Sequence, residues 1–196
     1  MTRSLLAALM VVVLSAPAFA SESTWQIDPA HSSFQFKIRH LTVSNVRGEF
    51  DKSGGTVTLN DQDPASLRVE VSIEAGSVNT HHVKRDEHLR SPDFFDVAKF
   101  PLITFVSKKV VQDGMNRLKV TGDLTIKGIT KEVTVNVEGP TAEIKDPTGN
   151  LRRGATGTAK INRRDFGMIW NRVLDTGGVL VGEDVDISIE VELVKK

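Results

Sequence analysis

Residues 118–127, LKVTGDLTIK, decide the fold class. Leu118, Val120, Gly122, Leu124 and Ile126 alternate with Lys119, Thr121, Asp123, Thr125 and Lys127. Period-two alternation puts one set on each face of a strand. One apolar face and one wet face is the mark of antiparallel sheet. The same pattern runs outward in both directions. Val133, Val135 and Val137 follow directly, and Val185, Ile187, Ile189, Val191 and Leu193 close the chain. Upstream, Val69, Val71, Ile73 and Ala75 share one face, as do Phe34, Phe36, Ile38 and His40. Turn signals at Ser53-Gly54-Gly55, Asp113-Gly114, Lys127-Gly128 and Gly177-Gly178 separate alternating runs. About eight strands at near-regular spacing predict an all-β antiparallel sandwich or barrel. A barrel of that size is either filled by side chains or holds one small ligand. Small residues on the inward stripes, such as Ala75 and Gly122, can leave room for one, and the pattern fits a packed taper at least as well.

One segment breaks the pattern. Residues 80–105, THHVKRDEHLRSPDFFDVAKFPLITF, concentrate charge, histidine and aromatics. Thr80 can cap a short helix. Pro92 ends that helix near Arg90, because it forces Ser91 extended. Pro101 stands where a strand begins. A charged, aromatic-rich helix interrupting a barrel predicts a lid over a pocket. Residues 164–183 read as a long loop carrying Phe166, Met168, Ile169 and Trp170, and such loops tend to be functional.

Residues 1–20 read as a cleavable signal peptide. Arg3 precedes the apolar run Leu5–Leu14, and Ala18-Phe19-Ala20 is a small-x-small cleavage site. The run is short for a spanning helix, which needs roughly 20 residues. Cleavage after Ala20 predicts an exported chain, periplasmic if bacterial, with a single domain over residues 21–196. Export permits disulfides, yet the chain has 0 Cys, so a packed core must stabilise it. The formal net charge of the whole chain is +0, which gives no electrostatic case for nucleic acid.

Chemistry-bearing residues are few. His81, His82, Asp86, Glu87 and His88 are dense but lack the His-Glu-x-x-His order of zinc hydrolases, so no metal is expected. Arg85 could offer a bidentate fork to an anion or pair structurally with Asp86. His40 continues the inward phase of Phe34, Phe36 and Ile38. It is either a satisfied buried histidine or a ligand contact. Asp93 and Asp96 beside Pro92 fit turn formation better than acid–base work. Phosphate loops, Gly-x-Ser-x-Gly elbows and cysteine nucleophiles are absent from the sequence. Nothing in it argues for an enzyme.

Several segments, in order, resemble the YceI family of exported polyisoprenoid-binding proteins. They are Trp25-Gln26-Ile27-Asp28 with His31-Ser32, Phe36 to Leu41, Gly48-Glu49-Phe50, Arg85 to Leu89 through Phe94-Phe95-Asp96, and Phe100-Pro101 with Ile103-Thr104-Phe105. Gly122 to Gly128, Ile161-Asn162-Arg163 and Asp165 to Met168 complete the set. The resemblance implies a lipocalin-like antiparallel barrel with an elongated apolar pocket for a long-chain amphipathic lipid, such as a polyisoprenoid or a quinone precursor. It implies a periplasmic carrier with no separate cofactor. Phase and position then place Phe34, Phe36, Ile38, Ile73, Phe94, Phe95, Ile103, Phe105 and Trp170 around the lipid tail. His40, Arg85, Asp86 and Asn171 are placed near its head group. Two other readings compete. One is an enzyme acting on an isoprenoid or quinone, with His40 or His88 as acid–base. The other is an interaction protein with a barrel packed solid, whose Trp170 loop docks a membrane partner. From the resemblance, a transient contact with the membrane or a membrane cytochrome is conceivable, and an edge strand or the aromatic loop could support a homodimer.

Overall fold

The computed structural model describes residues 22–175 and 177–196, so the expected signal peptide and its cleavage site lie outside the described residues. The strands are β1 (Ser23–Ile27), β2 (Ser33–His40), β3 (Ser44–Phe50), β4 (Ser53–Leu59), β5 (Arg68–Glu74) and β6 (Val78–Asn79). After helix α1 (Val83–Arg90) come β7 (Leu102–Gln112), β8 (Arg117–Ile126), β9 (Ile129–Glu138), β10 (Ile144–Lys145), β11 (Leu151–Asn162) and β12 (Val181–Lys195). Every pairing is antiparallel, and the order β1-β4-β5-β7-β8-β9-β11-β12 returns to β1. The sheet is a closed eight-stranded barrel, as the alternation predicts.

Several staves are broken strands. One edge of β12 pairs first with β1, as in Ile27↔Leu193, and then with β2, from Ser33↔Glu190 to His40↔Val181. Asp28–Ser32 is the kink between the two halves. Likewise β3 and β4 line up on β2 and β1, with the break at Asp51-Lys52. At the upper end β6 pairs only with β3 among the described residues, which leaves a seam before β7. Helix α1 and the turn at 91–100 cover it. Arg90 donates from Nε to Gly76 O (2.7 Å) and from Nη2 to Val78 O (2.8 Å), satisfying carbonyls at that edge.

The helix ends at Arg90 as predicted but starts at Val83, two residues later than a Thr80 cap would set, because its cap differs from expectation. His82 is the N-cap, accepting through Nδ1 from Arg85 N (3.3 Å), not Thr80. Thr80 is buried and instead donates from N (3.0 Å) and Oγ1 (2.5 Å) to Asp86 Oδ1. His81 between them sits at φ 59, so the chain turns sharply before the helix and leaves Thr80 behind its axis.

Buried clusters lie toward both ends of the barrel. Trp25, Ile27, Val57, Leu59 and Leu193 form one, joined by Val110, Leu118 and Val120. Phe94, Ile103, Leu124, Ile126, Ile161, Phe166 and Met168 form the upper one at the α1 end. Between them, the inward stripe is less tightly enclosed. Val133, Val135, Ile187 and Ile189 face the barrel interior and yet are only half-buried, because the space they face is hollow. Gly122 does not open that space, and of the two readings of the small residues the packed taper holds here. A Cβ there would lie 2.7 Å from the Phe105 ring and 2.4 Å from Val106 O, so Gly122 admits Phe105 beside the β7 bulge. Ala75 is likewise packed into the upper cluster.

The contrast between packed and hollow regions is measurable. Leu118→Ala, buried and off the cavity lining, should cost about 3 kcal/mol. Val135→Ala, which already faces a void on one side, should cost about 1 kcal/mol or less. Urea unfolding of the two variants checks both values, and equal costs would contradict the hollow.

Candidate functional site

The interior is one continuous cavity of about 540 Å³. That is within the range typical of small-molecule sites, roughly 300–1,000 Å³. Alternate residues of β12 from Val181 to Leu193 line it. That length of strand, at about 3.3 Å per residue and tilted as barrel strands are, gives a depth of roughly 30 Å. The shape suits an extended chain.

Strand β11 makes the hollow. Between the two buried clusters its inward residues are Ala155, Gly157 and Ala159, which all line the cavity, with Ile161 following at the α1 end. Where other staves present valine, isoleucine or phenylalanine, this one presents almost no side chain. A Cβ on Gly157 would already lie 3.1 Å from Val135 Cγ1. Sequence reading sought the small residues at Ala75 and Gly122 and missed these. The alternation Ala155-Thr156-Gly157-Thr158-Ala159 carries the signal in plain view.

All nine residues expected around a tail line this cavity: Phe34, Phe36, Ile38, Ile73, Phe94, Phe95, Ile103, Phe105 and Trp170. Their rings form two chains. Phe36, Phe50 and Phe95 stack in succession with centroids 5.8 and 5.7 Å apart. Trp170 meets Phe94 at 5.5 Å and the His88 ring edge-on at 4.7 Å, tying the loop after β11 to α1.

The residues expected at a head group divide. His40 and Arg85 line the cavity at its α1 end; Asp86 and Asn171 do not. The Asp86 carboxylate is buried and committed to Thr80. Arg85 is partly committed too, donating from Nε to Thr80 Oγ1 and from Nη2 to Thr80 O, both at 2.7 Å. The Arg–Asp pair therefore works through Thr80 to hold the helix on the barrel. Asn171 donates from Nδ2 to Val181 O (2.7 Å) and accepts from Val181 N (3.1 Å), which locks the loop onto the start of β12.

Sequence reading missed other polar residues of the wall. His82 and Lys84 line the same end, and Arg163 is buried in the wall beneath the 163–166 turn. Arg163 donates from Nε to Gly182 O (2.8 Å) and from Nη1 to Met168 O, and its Nη2 has no acceptor among the described residues. Burial pulls its pKa below the ordinary guanidinium value. Among the described residues, Arg39, Lys84, Arg85, Arg163 and three histidines line the cavity, and no carboxylate does. His88 is engaged by Asp93 through Nε2 at 2.9 Å.

A second polar cluster lies at the kink between β1 and β2. Ligand atoms of Asp28, His31 and Glu192 lie within 4.8 Å of one another. A cation already occupies their midst. Arg152 donates from Nη1 to Asp28 Oδ2 (2.8 Å) and to Glu192 Oε1, and from Nε to Asp146 Oδ2 (2.6 Å). The guanidinium makes this grouping a salt-bridge network and a poor metal site.

Comparison with known proteins agrees with the geometry. The YceI-like domain model matches residues 25–193. The chain belongs to the YceI-like family. The UPF0312 protein SAS2572 of Staphylococcus aureus (strain MSSA476) is 41% identical over 170 residues, spanning 87% of this chain and 96% of the relative. Among solved structures, Burkholderia cenocepacia BcnA superposes with a TM-score of 0.72 at 25% identity, covering 85% of this chain and 98% of that one. The Campylobacter jejuni YceI protein gives 0.65 at 31%, covering 82% and 91%. A polyisoprenoid binding domain from Saccharophagus degradans shares the YceI-like barrel with a TM-score of 0.63 at 17% identity, covering 88% and 98%.

The kink network has a pH signature. The hydrogen bond from His31, and then that from Arg152, holds the Asp28 pKa down to about 2 from an ordinary 3.8. A depressed pKa contributes stability that is present above the unfolded value and lost as pH falls through the folded one. The stability difference between the protein and Asp28→Asn should therefore shrink as pH drops from 3.8 toward 2. Thermal melts of both across that window test it, and a constant difference would contradict it.

Proposed function

We propose that this YceI-like barrel binds and carries a long-chain amphipathic isoprenoid lipid of the polyprenyl or quinone type. The tail lies along the barrel and the head group at the α1 end. The observation that carries this reading is the cavity wall, aliphatic and aromatic along its depth, with cations and histidines but no carboxylate. Each methylene or methyl moved from water onto such a wall contributes about 0.8 kcal/mol, so a tail drives affinity without directional contacts. The head then needs only a few donors. His40, Lys84 and the part of Arg85 that Thr80 leaves free supply them, and they favour a head group rich in acceptors, such as a phosphate or a quinone carbonyl. The name of the Saccharophagus degradans domain points to the same ligand class. The hollow interior argues against a barrel packed solid as an interaction module. The sequence of residues 1–20 supports export, which would make the protein a periplasmic carrier in a bacterium with an outer membrane.

Two substitutions test the reading. Ala159→Phe places a ring in the hollow and should abolish lipid retention while leaving the melting temperature within a few degrees. Phe36→Glu should abolish retention by charging the wall. Organic extraction of the purified protein with mass spectrometry of the extract, beside native mass spectrometry of the intact complex, reads both. A protein that stays empty after incubation with polyprenyl lipids and quinones would overturn the proposal, as would undiminished lipid in Ala159→Phe.

A further inference from the structure

The polar end of the cavity is ringed by apolar side chains that the cavity does not use. Val43 is 77% exposed, Val83 73%, Ile169 68% and Val173 76%, and Val179 stands beside them at 38%. None of the five lines the cavity. One exposed valine needs no explanation. These come from three separate segments: the hairpin tip between β2 and β3, the first turn of α1, and the loop 167–180. The segments are joined at this end. Leu41 N donates to Leu180 O (2.8 Å), Val173 bridges Val179, and Trp170, next to Ile169, packs on His88 of α1.

The hairpin tip is held in an unusual shape. Leu41 and Thr42 both sit at positive φ, 53 and 61, where a β-branched residue is rarely found. Arg39 fixes the tip by donating from Nη2 to Thr42 O. Val43 projects into solvent beyond this clamp. Strain of this kind is kept where a surface is used.

Charge completes the pattern. Arg39, Lys84 and Arg85 stand at the rim, and Arg172 is exposed on the loop. At the lining of the mouth the charges are cations, and among the described residues no carboxylate joins them. Asp93 is paired with His88 and Glu183 with Arg164, while Glu87, Asp175 and Asp184 stand exposed outside the lining, as Arg172 does. Apolar tips among cations match a bilayer whose surface is anionic. The tips enter the acyl boundary and the cations meet the lipid phosphates. We infer that Val43, Val83, Ile169, Val173 and Val179, with Arg39, Lys84 and Arg172, form a collar that docks the cavity mouth on an anionic phospholipid bilayer. The inference rests on the carrier reading: a ligand that dissolves in membranes has to be collected from one, and the collar would let it pass between bilayer and barrel without crossing water.

The test uses the chain from Ser21, the start expected after cleavage behind Ala20, which contains every strand of the closed barrel, and sucrose-loaded vesicles in a sedimentation assay. Vesicles containing phosphatidylglycerol should bring the protein down at least tenfold more strongly than pure phosphatidylcholine. The triple variant V43D/I169D/V173D should lose that binding by a further tenfold or more, because each tip contributes by burial and each aspartate is repelled. Its lipid content by native mass spectrometry should match the parent, since none of the three residues lines the cavity. Sedimentation unchanged by the triple variant, or none with anionic vesicles, would overturn the collar. So would a concentration-dependent dimer dissolved by the same substitutions without vesicle binding, which would assign the apolar tips to a second copy of the chain. A parent that binds vesicles but never carries lipid would instead refute the carrier reading and leave the docking surface standing.

Discussion

The structure depends on β12, which closes the sheet. One edge pairs with β11 along nearly its whole length, and the other pairs with β1 and then β2. Closure removes the free edges that an open antiparallel sheet would expose. It also fixes the circumference. Eight staves enclose a space that side chains can fill only if they are large. Here one stave, β11, offers Ala155, Gly157 and Ala159, and the space stays open. The hollow thus follows from closure and three small residues acting together.

The kinks that shape the staves are also where the polar networks sit. At Asp28–Ser32 the chain leaves the β1 register; Asp28 accepts from Ala30 N and is itself held by Arg152, which also donates to Glu192 and Asp146. At the upper seam, β6 is too short to reach β7, and Arg90, Arg85, Asp86 and Thr80 staple the helix over the gap. In both places a guanidinium collects several acceptors at once, which its planar five-donor fork suits. The lid is therefore held by buried, satisfied hydrogen bonds. Its outer side is left to His82, Lys84 and Val83, the groups that face the cavity mouth or solvent.

Much of this was legible beforehand. The alternating runs from Phe34 to His40 and from Leu118 to Ile126 gave strands with the inward face as read, and the helix ends before Pro92 as that residue requires. The nine aromatic and aliphatic residues assigned to the tail all line the interior; for Phe34, Phe36, Ile38, Ile73, Ile103 and Phe105 strand phase alone determines the face, while Phe94, Phe95 and Trp170 reach it from turn and loop. Polar roles were harder. Asp86 and Asn171 look like available head-group contacts in the sequence, but each is spent on a backbone or hydroxyl partner that only the folded chain brings near. Gly122 looks like empty space and is instead the gap a neighbouring ring fills.

By itself the sequence determined strand phase, the antiparallel class, the helical interruption and the apolar character of the interior. These are local properties, set by alternation, proline positions and turn residues. The tertiary structure decided that the barrel is hollow, that Arg85 and Asp86 brace Thr80, and that Val43, Val83 and Val173, far apart in the chain, surround one mouth. Those facts depend on which staves become neighbours and how much volume they leave between them. Pairing partners and residual volume are properties of the closed sheet, and no single segment carries them.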